Sequence, residues 1–115
     1  MKTKSMMLVV GMLFIGMTSL FAMDVKTEKI KVFGNCGMCK SRIEKAAKSV
    51  DGVTKAKWEA KDNFLTVTFD DTKTTMLKIQ EAVAKVGHDT DQAKADDKTY
   101  NALPGCCKYE RPGNK

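Results

Sequence analysis

Twice along this chain the spacing of apolar residues changes from every second residue to every third or fourth, and that double switch restricts the folds open to it. Residues 28–33 alternate, with Ile30 and Val32 on one face, and predict a strand. Between Lys40 and Val50, residues Ile43, Ala46, Ala47 and Val50 fall at i, i+3, i+4 and i+7, one stripe of a helix that Asp51-Gly52 ends. Glu44 and Lys48 make an i, i+4 pair on its wet side. Val53, Ala56, Trp58 and Ala60, a turn at Lys61-Asp62-Asn63, and Leu65, Val67 and Phe69 alternating with Thr66 and Thr68 predict a β-hairpin. Asp71-Thr72 offers an N-cap to a second helix striped by Met76, Ile79, Val83 and Val86, and Gly87 supplies its left-handed stop. His88 to Ala95 is read as a short, polar edge strand. The order is βαββαβ, an α+β sandwich whose four-stranded antiparallel sheet carries both helices on one face.

The chemistry-bearing stretch is Gly34-Asn35-Cys36-Gly37-Met38-Cys39-Lys40, at the turn from the first strand into the first helix. Two thiols three residues apart there can face one small object. The first helical amides lack intrahelical partners and that end of the helix dipole is positive, so thiolates are stabilised. Counting directions through the element order brings the loop before the first helix and the loop after the second to the same end, which places His88 near Cys36 and Cys39. His88 is the one histidine of the chain; it is either a solvated ring or a ligand or tuning neighbour of the thiols.

Residues 1–22 are set apart from the fold: Lys2 and Lys4 make a basic start, and an uncharged, mostly apolar run from Met6 to Phe21 leads to Ala22. This is read as a secretory signal peptide, which makes the protein periplasmic or otherwise exported. The alternative is an uncleaved anchor with membrane contact, since Ser5 to Met23 carries no charge and is just long enough to span a bilayer. Cleavage would remove two lysines and lower the formal charge from +6 to +4. Lys40, Arg42, Lys45, Lys48, Lys55 and Lys57 gather in and after the first helix, as a solvated face or as a surface that steers an acidic partner. Export and the lack of aromatic residues among these lysines argue against nucleic acid.

The mature region holds Cys36, Cys39, Cys106 and Cys107. An even count in an oxidising compartment first suggests disulfides, but the spacing argues otherwise. Neighbouring residues have Cα atoms about 3.8 Å apart, below the roughly 4.4–6.8 Å of a relaxed disulfide, so Cys106 and Cys107 are poorly placed to pair. A bridge within C-x-x-C would close a tiny loop and restrain the unfolded chain little. These thiols are placed for chemistry. Residues 96–115 contain Pro104, Gly105, Pro112 and Gly113 without periodicity and are expected to form an irregular tail. With Tyr100, Leu103, Pro104 and Tyr109 around them, Cys106 and Cys107 either fold back to complete the first pair, bind a second ion, bridge two chains or remain free reactive thiols. Met38 and Met76 are read as packing.

Taken together, the strand, G-N-C-G-M-C-K, the Ile/Ala-striped helix, Asp51-Gly52-Val53, the hairpin, the second helix and Val86-Gly87-His88-Asp89 resemble a heavy-metal-associated domain. The resemblance covers residues 27–95, within a domain bounded at 23–95. It implies a ferredoxin-like fold, shared with copper chaperones, the amino termini of copper- and zinc-pumping ATPases and the periplasmic mercury-binding protein. It also implies that Cys36 and Cys39 bind metal. His88 falls where some bacterial members carry tyrosine or phenylalanine and a cyanobacterial copper chaperone carries a histidine near the metal. The family's usual Gly-Met-x-Cys, whose methionine packs beneath the loop, is one residue shorter here, which leaves open whether Met38 fills that space.

The candidate metal ligands are therefore Cys36, Cys39, His88, Cys106 and Cys107. Soft thiolates select Cu(I), Hg(II) or Zn over hard cations. Two thiols and one imidazole under-fill a four-coordinate Zn site and suit Cu(I), which ranks first, with Zn and Hg(II) behind. Two thiolates around a monovalent ion leave one negative charge, to be offset by the helix start and Lys40. The function expected is that of an exported soft-metal carrier or scavenger, not an enzyme. Its partner would be a metal-exporting ATPase or another efflux component, and its state a monomer or a metal-bridged dimer. The alternative class is a thiol–disulfide oxidoreductase, because C-x-x-C at a helix start also suits thiol exchange. The missing Trp-Cys-Gly-Pro-Cys pattern and the confinement of both prolines to the tail weigh against it.

Overall fold

The computed structural model describes residues 25–112, so the signal segment expected over residues 1–22 lies outside the described residues. Strand β1 (Val25–Lys31), helix α1 (Gly37–Lys48), strand β2 (Val53–Glu59), strand β3 (Phe64–Asp70) and helix α2 (Met76–Lys85) follow in order. Beyond them lie a five-residue helix α3 (Asp97–Asn101) and a 3-10 turn (Gly105–Cys107). The strands form one antiparallel sheet in the order β1-β3-β2. Its register places Ile30, Leu65 and Trp58 in one row across the three strands. Those residues are buried with Ala56, Val67 and Phe69 against Ile43, Ala46 and Ala47 of α1 and Ile79 and Val83 of α2. The tight β2–β3 turn works because Asn63 tolerates the left-handed region (φ 62°) and donates its N–H to Glu59 O at 2.8 Å.

Trp58 ties α1 to the sheet. Its indole N–H donates to Val32 O at 2.8 Å and its backbone N–H to Glu44 Oε2 at 2.8 Å, while Lys40 Nζ reaches both Glu44 Oε2 (2.6 Å) and Trp58 O (3.0 Å). Glu44 thus pairs with Lys40, not with Lys48 as the helical spacing alone suggested, because the buried backbone of Trp58 needs an acceptor and draws the carboxylate inward. The cap of α2 also differs from expectation. Thr75 accepts from Lys78 N–H at 3.2 Å, whereas Asp70 Oδ1 is engaged by the Thr72 amide and hydroxyl in a local turn.

The expected fourth strand does not form among the described residues; the sheet has three strands, and this segment adds one isolated bridge, Val32 with Thr90. The reason is that its polar side chains satisfy its backbone locally. Thr90 N–H donates to Ala93 O (2.7 Å), Ala93 N–H to Thr90 Oγ1 (3.0 Å), and Ala95 N–H to Asp89 Oδ1 (2.7 Å), so a turn replaces a ladder.

The tail corrects a second expectation. Instead of being irregular throughout, residues 97–101 are helical, and Leu103, Cys107 and Tyr109 are buried in the main core. Leu103 sits on Gly87, where φ is 111° and any Cβ would come within 2.9 Å of the leucine side chain. Tyr109 Oη donates to Gly87 O and accepts from Asp89 N–H, both at 2.8 Å. Arg111 closes the corner with two hydrogen bonds to Asp89 (2.8 and 2.9 Å), one to Asp97 (2.7 Å) and one to Ala95 O (2.6 Å). No helix among the described residues is long and apolar enough to cross a membrane.

Candidate metal centre

Cys36 is the N-cap of α1, in extended backbone (φ −137°), and Cys39 lies in the first turn. The turn is tight because Gly34 runs against the core: a Cβ there would lie 3.1 Å from both Cys39 Cβ and the Trp58 ring. The Trp58 ring packs against this loop at Gly34, whereas Met38 is 53% exposed. Sγ of Cys36 and Sγ of Cys39 are 3.8 Å apart, and Asn35 N–H points at Cys39 Sγ from 3.4 Å.

The tail delivers the second pair of thiols to the same place. In the 3-10 turn successive side chains are about 120° apart around the axis, so one can point inward while its neighbour points out. Cys107 is fully buried and Cys106 is exposed. Cys107 Sγ lies 3.9 Å from Cys36 Sγ and 4.0 Å from Cys106 Sγ. Cys36, Cys106 and Cys107 offer sulfurs that all lie within 4.8 Å of one another; Cys39 stands beside this group, against Cys36. An ion bonded to sulfur at about 2.3 Å needs S···S edges of about 3.8 Å in a tetrahedron or about 4.0 Å in a flat triangle. The successive separations along the series Cys39, Cys36, Cys107 and Cys106, of 3.8, 3.9 and 4.0 Å, are of that size, and the group of Cys36, Cys106 and Cys107 closes within 4.8 Å.

The four thiols differ in acidity. The amide N–H of Cys39, facing Cys36 across the first turn, lowers the Cys36 thiol to about 7, with the Cys106 thiol adding to the effect. Burial pushes Cys39 up to about 11. Burial also raises Cys107, against the pull of Cys39 and Arg42, and the neighbouring Cys36 raises Cys106. The cation at the site is Arg42, whose Nη1 donates to Cys107 Sγ at 3.3 Å. Lys40, expected to offset thiolate charge, is engaged with Glu44 and Trp58.

His88 lies at the expected end but outside the three-thiol group. Its Nδ1 is 2.8 Å from Phe33 O, and its ring stacks on Tyr109 at 5.4 Å. A carbonyl can only accept, so Nδ1 carries the proton and Nε2 keeps its lone pair, buried without a hydrogen-bond partner among the described residues. Burial holds the imidazole below its ordinary value, against the Phe33 carbonyl, so the ring is neutral. Sequence reasoning passed over four contributors. Arg42 stood only as one of several basic residues. Trp58 and Tyr109 read as core and tail, and nothing in their spacing pointed to the loop. Met38, read as packing, has its Sδ 3.5 Å from Cys106 Sγ.

The heavy-metal-associated domain family matches residues 29–89. Among curated relatives, the mercuric transport protein periplasmic component of Shewanella putrefaciens is 43% identical over 54 residues, which cover 47% of this chain and 59% of that protein. The chain therefore spans less than two thirds of that relative. The copper chaperone CopZ of Staphylococcus aureus is 34% identical over 55 residues, 48% of this chain and 81% of CopZ. Among solved structures, oxidized MerP from Ralstonia metallidurans CH34 superposes with a TM-score of 0.56 at 32% identity, covering 58% of this chain and 94% of that one.

Proposed function

Because this chain belongs to the heavy-metal-associated domain family, we propose that it is an exported carrier or scavenger of a soft metal ion, Cu(I) in the first place, held by two or three thiols at a time within the cluster of Cys36, Cys39, Cys106 and Cys107. The observation that carries this reading is the convergence of sulfurs from two distant parts of the chain at separations suited to one ion. Soft thiolates favour Cu(I), Hg(II) and Zn. A closed Zn site wants four ligands around one centre, whereas the compact group here has three thiols with Cys39 to one side, which suits a low-coordinate ion better. Arg42 offsets part of the thiolate charge. His88 enters as a positioning residue, holding the Cys36 loop through Phe33 O.

Few ligands and an exposed Cys106 suit hand-over by ligand exchange, with incoming thiols displacing Cys106 first and the buried pair last. The acceptor in this reading is a metal-exporting ATPase or another efflux component outside the cytoplasm. A second reading, Hg(II) as cargo, is favoured by the 43% identity to a mercuric transport component.

Anaerobic competition for Cu(I), Hg(II) and Zn against colorimetric chelators tests both. Cu(I) should be retained at one ion per chain. Cys36→Ser/Cys39→Ser should weaken binding by more than about 100-fold, beyond the 10–100-fold typical of losing an outer partner. Cys106→Ser/Cys107→Ser should weaken it less. Retention of metal by the Cys36→Ser/Cys39→Ser protein as tight as by the parent overturns the proposal, and tight Hg(II) binding with weak Cu(I) binding selects the second reading.

A further inference from the structure

Met38 is a long apolar side chain left 53% exposed between the two cysteines of α1, on the very turn over which the tail folds. An exposed thioether is out of place for packing, and the Trp58 ring already packs against the loop at Gly34. What the thioether faces is sulfur. Met38 Sδ lies 3.5 Å from Cys106 Sγ, Cys106 Sγ 4.0 Å from Cys107 Sγ, Cys107 Sγ 3.9 Å from Cys36 Sγ, and Cys36 Sγ 3.8 Å from Cys39 Sγ. Five sulfurs thus run in an unbroken series. It starts at exposed Met38 and Cys106 and ends at half-buried Cys36 and fully buried Cys107 and Cys39.

We infer that Met38 and Cys106 form an outer receiving subsite for Cu(I), from which the ion moves to the buried thiols. The inference rests on the soft-metal reading above and extends it to the route of capture. A thioether is a soft, neutral donor with no proton to lose, so it binds Cu(I) without first ionising. Zn(II), which draws more on anionic thiolate, gains less from it. Each transfer forms one Cu–S bond as another breaks, copper stays monovalent throughout, and every thiol that binds releases its proton to water. Because Met38 and Cys106 reach solvent while Cys39 and Cys107 do not, the outer pair meets an arriving ion first.

The test uses the reduced full chain with methyl-¹³C methionine, the Met38 signal being identified by its loss in Met38→Leu, a change that keeps the apolar cover. One equivalent of Cu(I) should shift the Met38 methyl resonance, and one equivalent of Zn(II) should leave it in place. In stopped flow, Met38→Leu should take up Cu(I) about tenfold more slowly than the parent, within the one to three decades over which association rates vary among variants of one site. Uptake by Met38→Leu at the parental rate together with an unmoved Met38 signal overturns the receiving subsite while leaving the thiol carrier standing. Failure of the parent itself to bind Cu(I) overturns both.

Discussion

Cys36 is where extended backbone turns into helix, and its sulfur lies beside the first free amides of α1 without making a capping hydrogen bond. That position, more than any neighbouring charge, lowers its thiol to about 7, while three residues on, burial takes Cys39 up to about 11. Of the two cysteines of one motif, Cys36 is thus the thiolate and Cys39 the thiol near neutral pH. The lowered value means that Cys36 stays ionised down to about pH 7 and is protonated below it, whereas an ordinary thiol is already protonated at pH 8. In the reduced, metal-free chain, the rate of iodoacetamide labelling at Cys36, followed by peptide mass mapping, should be half-maximal near pH 7. Cys39 should stay essentially unlabelled through pH 9. Equal labelling of both cysteines across that range would show that the helix start does not set their acidity.

The tail behaves as an element in its own right. Two short turns of helix are held by three contacts: Leu103 on Gly87, Tyr109 across the chain reversal at residues 87–89, and Arg111 on Asp89. Tyr109 is the central one, with Phe33, His88 and Tyr100 around its ring and its hydroxyl between Gly87 O and Asp89 N–H. Tyr109→Phe keeps the ring but strips both backbone groups of their partner. It should cost about 2 kcal/mol in urea unfolding, the scale of leaving buried polar groups unpaired. Loosened docking of Cys107 should also make that thiol reactive. The helical stripes and the hairpin were plain in the sequence because period and burial coincide there. The tail was not, because it carries no period: its order comes from single side chains fitting sites built by other elements.

For the whole molecule, acidity acts first through His88 and then through the partnered carboxylates, among them Asp89 beside it at the seam of domain and tail, Glu44 and Asp70. Burial holds His88 below its ordinary value of 6.5, so protonation favours the unfolded chain, and the stability present above that value is lost as pH falls below it. Burial alone would raise Asp89, but Arg111 and the Ala95 amide outweigh it and hold the carboxyl below 3.8, so its contribution is lost in a second, more acidic window. The thermal midpoint should therefore fall in two steps on acidification, and His88→Gln should flatten the first while sparing the second. A midpoint constant from pH 7 to pH 5 would contradict the burial of a neutral imidazole. Lys45, Lys48, Lys55 and Lys57 remain exposed, while Lys40 and Arg42 turn inward to Glu44 and Cys107. The basic face is thus smaller than the composition suggested, and it is available for steering.

The sequence by itself determined the order of the first three strands and two helices, the placement of Cys36 and Cys39 at the start of α1 and the meeting of that loop with His88, because periodicity and chain direction are local properties. Only the tertiary structure decided that residues 88–95 turn back on themselves, that the tail packs into the core, and that Cys107, Arg42 and Met38 gather around the first pair. Those outcomes depend on which buried polar groups find partners and which cavities a side chain can fill. Neither is written in the spacing of residues along a chain.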